Sequence, residues 1–192
     1  MQSRTIFNTP VVTSVMRALF RLIQSLIGWK VQGHRADVEK CVYIAAPHTS
    51  NWDFPLMLCV CFTVGIRSRW IGKHALFPWP FGGLMKYLGG IPIDRRKSTN
   101  MVEQMREQYE QRDNLELVIT PDGTRSKVKK WKSGFYHIAV AANVPIVMAA
   151  VHAPDKVVII DEPFYPTGDY DQDMLKIHAF YEGRVGLRPE LS

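Results

Sequence analysis

The sequence predicts a single-domain α/β sandwich, with a central, mostly buried mixed sheet flanked by helices and an amphipathic helix at the N-terminus. Two observations carry this. The short apolar runs "CVYIAA", "LELVIT", "VPIVMAAV" and "KVVIID" have the length and β-branched content of buried strands, and segments of helical spacing lie between most of them. With 192 residues and 46% hydrophobic content, the chain can bury one substantial core, and no repeat, low-complexity tract or linker divides it.

The N-terminal segment "VVTSVMRALFRLIQSLIGW" places Val12, Val15, Met16, Leu19, Phe20, Leu22, Ile23, Leu26 and Ile27 on one broad helical face. Thr13, Ser14, Arg17, Arg21, Gln24 and Ser25 occupy the other, and no acidic residue precedes Asp37. A helix lying in a membrane interface and a helix packed on the domain core share this periodicity, so both readings stand on the wheel alone. Residues 1–30 are therefore read as an N-terminal helical unit and 31–192 as the main domain. No uninterrupted apolar stretch reaches bilayer-spanning length, and no cleavage site follows an apolar core.

Further along, residues 41–46 read as a buried strand and Asp53 to Phe62 as a helix, joined by "PHTSN". "IRSRWIGK" reads as a strand ending at Lys73, and the Pro- and Gly-rich "HALFPWPFGGLMKYLGG" as a loop with one short helix. "IPIDRR" is a brief strand with a charged exit. Val102, Met105 and Tyr109 mark a surface helix, and "LELVIT" is a strand leading into "PDGTRS". "GFYHIAVAAN" is a small-residue helix stopped at Asn143; two apolar strands and a last helix, "MLKIHAFYEG", complete the order.

A formal charge of +6 points to an anionic partner: nucleic acid, a membrane surface or a phosphorylated substrate. No RNA-binding signature or zinc finger accompanies it, which removes nucleic acid. Cys41, Cys59 and Cys61 form an odd set without paired spacing and read as reduced, buried thiols in a cytoplasmic setting, and no metal site is expected.

His48 precedes Asp53 by five positions. Two helical residues at that spacing diverge, so they can meet only if His48 lies in the loop and Asp53 in the first helical turn. There a carboxylate is favoured by the helix dipole and can fix the imidazole tautomer, leaving the other nitrogen to accept a proton. The same residues also fit an ordinary helix start, with Ser50 or Asn51 as cap. Two more strand exits, at Arg95 and Arg96 and at Gly123, Arg125 and the lysines that follow, carry the guanidinium forks and glycine amides that hold phosphate, or are solvated basic loops.

"HTSNWD", "GGIPIDR", "PDGTRS" and "VPIVMAA", in this order over residues 48–150, resemble the four motifs of the glycerolipid acyltransferase family, of 1-acyl-sn-glycerol-3-phosphate acyltransferase type. The resemblance implies His48 as general base and Asp53 as its orienting partner. It implies that Arg95 holds the acceptor phosphate, that Asp122, Gly123, Thr124 and Arg125 shape the same pocket, that Lys73 leads a substrate-binding connector, and that Val144 and Pro145 form the acyl-donor side. It further implies a membrane-associated O-acyltransferase moving a fatty acyl chain from acyl-CoA or acyl-carrier protein to a lysophospholipid, lysophosphatidic acid first, with no cofactor beyond the thioester co-substrate. The implied location is peripheral, on the cytoplasmic face of the inner membrane, with the N-terminal helix on the anionic surface. Asp122 stands where the family has glutamate, Pro47 where asparagine is frequent, and Met148 in place of a second proline. Those departures keep open another lysolipid or an amino-acid-derived acceptor; a non-catalytic lipid or acyl-carrier binder and a thioesterase are rival readings of other classes.

Overall fold

The computed structural model describes residues 4–93, 101–123 and 130–192. At its centre is β2 (Lys40–Ala46), whose Cys41, Val42, Tyr43 and Ile44 are buried. β6 (Ile146–His152) and β5 (Leu115–Ile119) pair with it in parallel on either side, and β3 (Ser68–Lys73) and β4 (Gly90–Ile93) continue the parallel run beyond β5. On the other flank β6 turns back into antiparallel β7 (Val157–Ile160), and β1 (Lys30–Gln32) lies parallel to β7. The seven-stranded order is β1-β7-β6-β2-β5-β3-β4, a mixed sheet as expected.

Side-chain alternation sorts the core onto two faces. Val42, Ile44, Leu117, Ile146 and Met148 face α4 (Met101–Glu110), α5 (Gly134–Ala142) and α6 (Tyr170–Tyr181). Tyr43, Val118, Val147, Val158 and Ile160 face α2 (Asp53–Val64), which contributes Leu56, Val60 and Phe62. The short α3 (Gly82–Tyr87) leads into the edge strand β4.

Helix α1 (Pro10–Ile27) has Pro10 in its first turn and ends on Gly28 at φ 73. It divides the predicted apolar face into two strips. Met16 and Phe20 pack inward, with Phe20 stacked 5.3 Å from Phe62. Arg17 donates to the carbonyl of Phe62 at 3.3 Å, anchoring the helix to α2. The second strip, Val15, Leu19, Leu22 and Leu26, is exposed, as is Val11. Core packing, one of the two readings of the wheel, therefore holds for the inner strip alone. By length and composition the 18-residue helix is also apolar enough to cross a bilayer, which revises the expectation that no segment is, although Arg17 and Arg21 interrupt it.

Two elements, α6 and β1, differ from the sequence reading, and β5, read correctly as a strand, carries a buried charge. The last helix begins at Tyr170 rather than Met174, because Asp169 accepts the Gln172 N–H at 3.1 Å and caps a turn that the acidic composition disguised. Glu116, in the middle of the apolar run of β5, is buried and held by Arg35 and by the backbone N–H of Arg67. β1 has only three residues and no hydrophobic pattern to announce it. Its docking depends on Gly33, at φ 90, where a Cβ would stand 2.1 Å from the Ile160 carbonyl oxygen. Gly33→Ala is expected to separate the β1–β7 edge and cost about 2 kcal/mol or more, read as a lower Tm in thermal unfolding.

Candidate active site

The parallel strands deliver their C-terminal ends to one rim of the sheet, where open α/β folds place ligands. β2 ends at Ala46, and Pro47, which has no N–H to donate, turns the chain out of the ladder. The His48 N–H then donates to Asp122 Oδ2 at 2.9 Å, tying the β2 exit to the β5 exit.

Asp53 is the first residue of α2, and its Oδ2 accepts the Thr49 N–H at 2.8 Å and the Ser50 N–H at 2.7 Å. His48 Nδ1 lies 2.9 Å from the same oxygen. One carboxylate oxygen thus folds the loop and aims the imidazole. The expected capping by Ser50 or Asn51 is replaced: the N-cap is Trp52, without a side-chain cap of the helix amides, while Ser50 Oγ accepts the Trp52 N–H at 3.2 Å. With Nδ1 donating to Asp53, the lone pair sits on Nε2, which has no partner among the described residues. Asp53 Oδ1 is buried and also without a partner among them.

Asp122 is 8% exposed. Burial raises its carboxyl pKa above the usual range, opposed by the His48 backbone N–H and the Trp131 indole N–H that bond it. The sign follows: folding favours the neutral form, so this group's contribution to stability is full in acid and declines as pH rises from the ordinary aspartate value to the raised one. Asp122→Asn, which retains an acceptor for His48 N–H, is expected to lack this decline. Thermal unfolding of both proteins across pH 3–8 checks it, with the gap in Tm moving in favour of the variant as pH rises.

A cavity of ≈ 850 Å³ opens beside the pair. It is lined by Pro47, His48, Asn51, Gly123 and Lys132 together with apolar side chains of α2 and the sheet, among them Leu56, Val60 and Val118. A mainly apolar lining with a few polar groups fits an amphiphile with its reacting group at the histidine.

Among the residues singled out in the sequence, His48, Asp53, Asp122 and Gly123 come together here. Asp122 spends its carboxylate on the His48 backbone. Lys73 ends β3 on the same rim, exposed and outside the cavity lining. Val144 and Pro145 precede β6, whose Ile146 pairs with Val42 while its Ala150 pairs with Ala46, so they lie at the opposite end of the sheet from His48. Arg95, Thr124 and Arg125 lie outside the described residues.

Two features escaped the sequence reading. Lys132 folds over Gly123, whose added Cβ would meet its Nζ at 2.7 Å; within "KVKKWKSG" it was indistinguishable from the other lysines. Near the C-terminus, the Arg188 N–H donates to Thr49 Oγ1 at 3.0 Å, bracing the catalytic-loop candidate from 139 residues away, beyond any local pattern.

The acyltransferase family model matches residues 29–152, well over half of the chain. The chain belongs to the acyltransferase family. This family member is 29% identical over 153 residues to the 1-acyl-sn-glycerol-3-phosphate acyltransferase of Haemophilus influenzae, covering 73% of this chain and 61% of the relative. It is 31% identical over 144 residues to the enzyme of the same name from Salmonella typhimurium, covering 69% and 57%. The chain thus spans about three-fifths of the length of these relatives. The crystal structure of the 1-acyl-sn-glycerophosphate (LPA) acyltransferase PlsC from Thermotoga maritima superposes with a TM-score of 0.62 at 19% identity, over 88% of this chain and 75% of that one, and shares its fold.

Proposed function

We propose that this acyltransferase-family chain is an O-acyltransferase that moves a fatty acyl chain from a thioester, acyl-CoA or acyl-carrier protein, to the free hydroxyl of a lysophospholipid, lysophosphatidic acid first. The observation that carries the reading is the His48 Nδ1 to Asp53 Oδ2 contact of 2.9 Å on the wall of an amphiphile-sized cavity. The names of the relatives support the acceptor.

In this reading the acceptor hydroxyl donates to His48 Nε2. As its oxygen bonds to the thioester carbonyl carbon, the proton passes to Nε2 and Asp53 stabilises the imidazolium. Collapse of the tetrahedral species breaks the C–S bond, and the thiolate leaves with the proton from His48. The ester, the thiol and neutral His48 result, with no acyl-enzyme and no cofactor beyond the thioester. Asp122 holds the histidine's backbone rather than the substrate. Lys132, with Gly123, sits where an acceptor phosphate would approach, joined in sequence terms by Arg95, Thr124 and Arg125, with Lys73 on the rim. The acyl chain occupies the apolar interior of the cavity, which Val144 and Pro145 do not reach.

The exposed apolar strip of α1, with Arg21 beside it, supports a peripheral location in which the helix lies in the interface at the cytoplasmic face of the inner membrane. Lipid mass spectrometry tests the function: purified protein is offered mixed lysolipids, including amino-acid-derived ones, with either donor. Phosphatidic acid as the main product is expected. A strong preference for an acceptor without phosphate, or release of free fatty acid alone, contradicts it.

A further inference from the structure

We propose that the loop between β3 and α3, together with the first turn of α2, is a second lipid-contact surface that seats the domain on an anionic bilayer independently of α1. After Lys73 the chain makes a 3-10 turn at His74–Leu76 and then exposes Pro78, Trp79, Pro80 and Phe81. Trp79 is 94% exposed, Trp52 73% and Phe81 62%, and Leu76 and Leu84 join them. Such a concentration of large bare side chains is unusual for a surface that meets only water.

These groups form one rim. Phe54 of α2 meets Trp70 edge-on at 6.2 Å, and Trp70 stacks 6.0 Å from Phe77, so a ladder of rings joins the α2 turn to the loop. Phe54 and Trp70 also line the cavity that holds His48. The ladder of rings therefore links the exposed loop to the wall of the cavity.

Backbone chemistry favours lipid as the occupant. Pro78 and Pro80 have no N–H, the Phe77 N–H bonds the His74 carbonyl at 3.0 Å, and the Gly82 N–H bonds the Pro78 carbonyl at 2.7 Å. Few donors at this tip lose a water partner when it enters an apolar layer, the condition for immersing irregular backbone. Indole at such a position suits the headgroup boundary. The charge agrees: from Phe54 to Ile93 the sequence has no aspartate or glutamate, while Lys73 and Lys86 are exposed. An anionic surface is attracted with nothing to repel it.

The purpose of the surface rests on the acyltransferase reading, but its test does not. Full-length protein and the variants Trp79→Ser and Trp79→Phe are sedimented with vesicles of phosphatidylglycerol and phosphatidylcholine, without acyl donor, and tryptophan quenching by brominated lipid is recorded. Trp79→Ser is expected to weaken vesicle partitioning about tenfold, as loss of one buried aromatic side chain predicts. Quenching should fall in both variants, and Trp79→Phe should restore most of the partitioning with unchanged thermal unfolding. Partitioning and quenching equal to wild type in Trp79→Ser would overturn the proposal, as would a loss confined to binding of acyl-carrier protein. Absence of acyl transfer with normal Trp79-dependent partitioning would sink the enzyme reading and leave this surface standing.

Discussion

His48→Ala is expected to reduce acyl transfer by about 10²–10⁴-fold, the usual contribution of a positioned general base. The side chain is 23% exposed and bonds to Asp53 rather than to the core, so its removal leaves the core intact. Thiol release with a saturating lysolipid gives the rate, and thermal unfolding verifies the fold. The backbone N–H of residue 48 still donates to Asp122, so the loop keeps its course and the loss reports on the imidazole.

Asp53→Ala is expected to act twice. It removes the acceptor that fixes the imidazole tautomer, and it strands the N–H groups of Thr49 and Ser50, both buried residues. A rate loss of about 10²–10⁴-fold should accompany a destabilisation of about 2–6 kcal/mol, since each of the two unpaired donors costs about 1–3 kcal/mol. Asp53→Asn separates the two roles. Its amide oxygen can accept the backbone N–H groups, so Tm should recover in part. The neutral side chain cannot stabilise an imidazolium, so the rate should not. Measuring kcat and Tm on the same preparations distinguishes a catalytic carboxylate from a merely structural one.

Much of this arrangement could be read from the residues. The His48 and Asp53 meeting followed from helix geometry: a spacing of five is productive only across a loop-to-helix boundary, and α2 begins at Asp53. Strands β2, β5 and β6 announced themselves because both faces of a buried parallel sheet demand apolar side chains. What was not legible depended on partners distant in sequence. Asp122 read as a pocket residue, yet its bond to His48 spans 74 positions. Glu116 lies within a strand read as apolar, and its partners, Arg35 and the Arg67 amide, come from distant positions that no local pattern joins to it. Val144 and Pro145 carried a motif resemblance, but the register Val42 to Ile146 fixes them at the far end of β6. For α1 the periodicity was visible and its division into inner and outer strips was not, because only the position of Phe62 decides which residues turn inward.

The fold thereby explains the site's economy. One rim gathers loops from several strands, and a single carboxylate oxygen organises the β2 exit. Asp122, braced by Trp131, holds that exit against β5, and the Arg188 amide holds it against the C-terminal segment. Such support from three directions holds the imidazole fixed against the cavity, as the proposed general-base role requires.

The most direct measurement of the central claim is a single-turnover reaction of excess protein with radiolabelled acyl thioester, quenched with and without lysophosphatidic acid. Label is expected to move to phosphatidic acid in step with thiol release only when the lysolipid is present, none is expected to stay bound to denatured protein, and His48→Ala is expected to slow the transfer by about 10²–10⁴-fold. Label retained covalently on the chain, or thiol released as free fatty acid without acceptor, would contradict it.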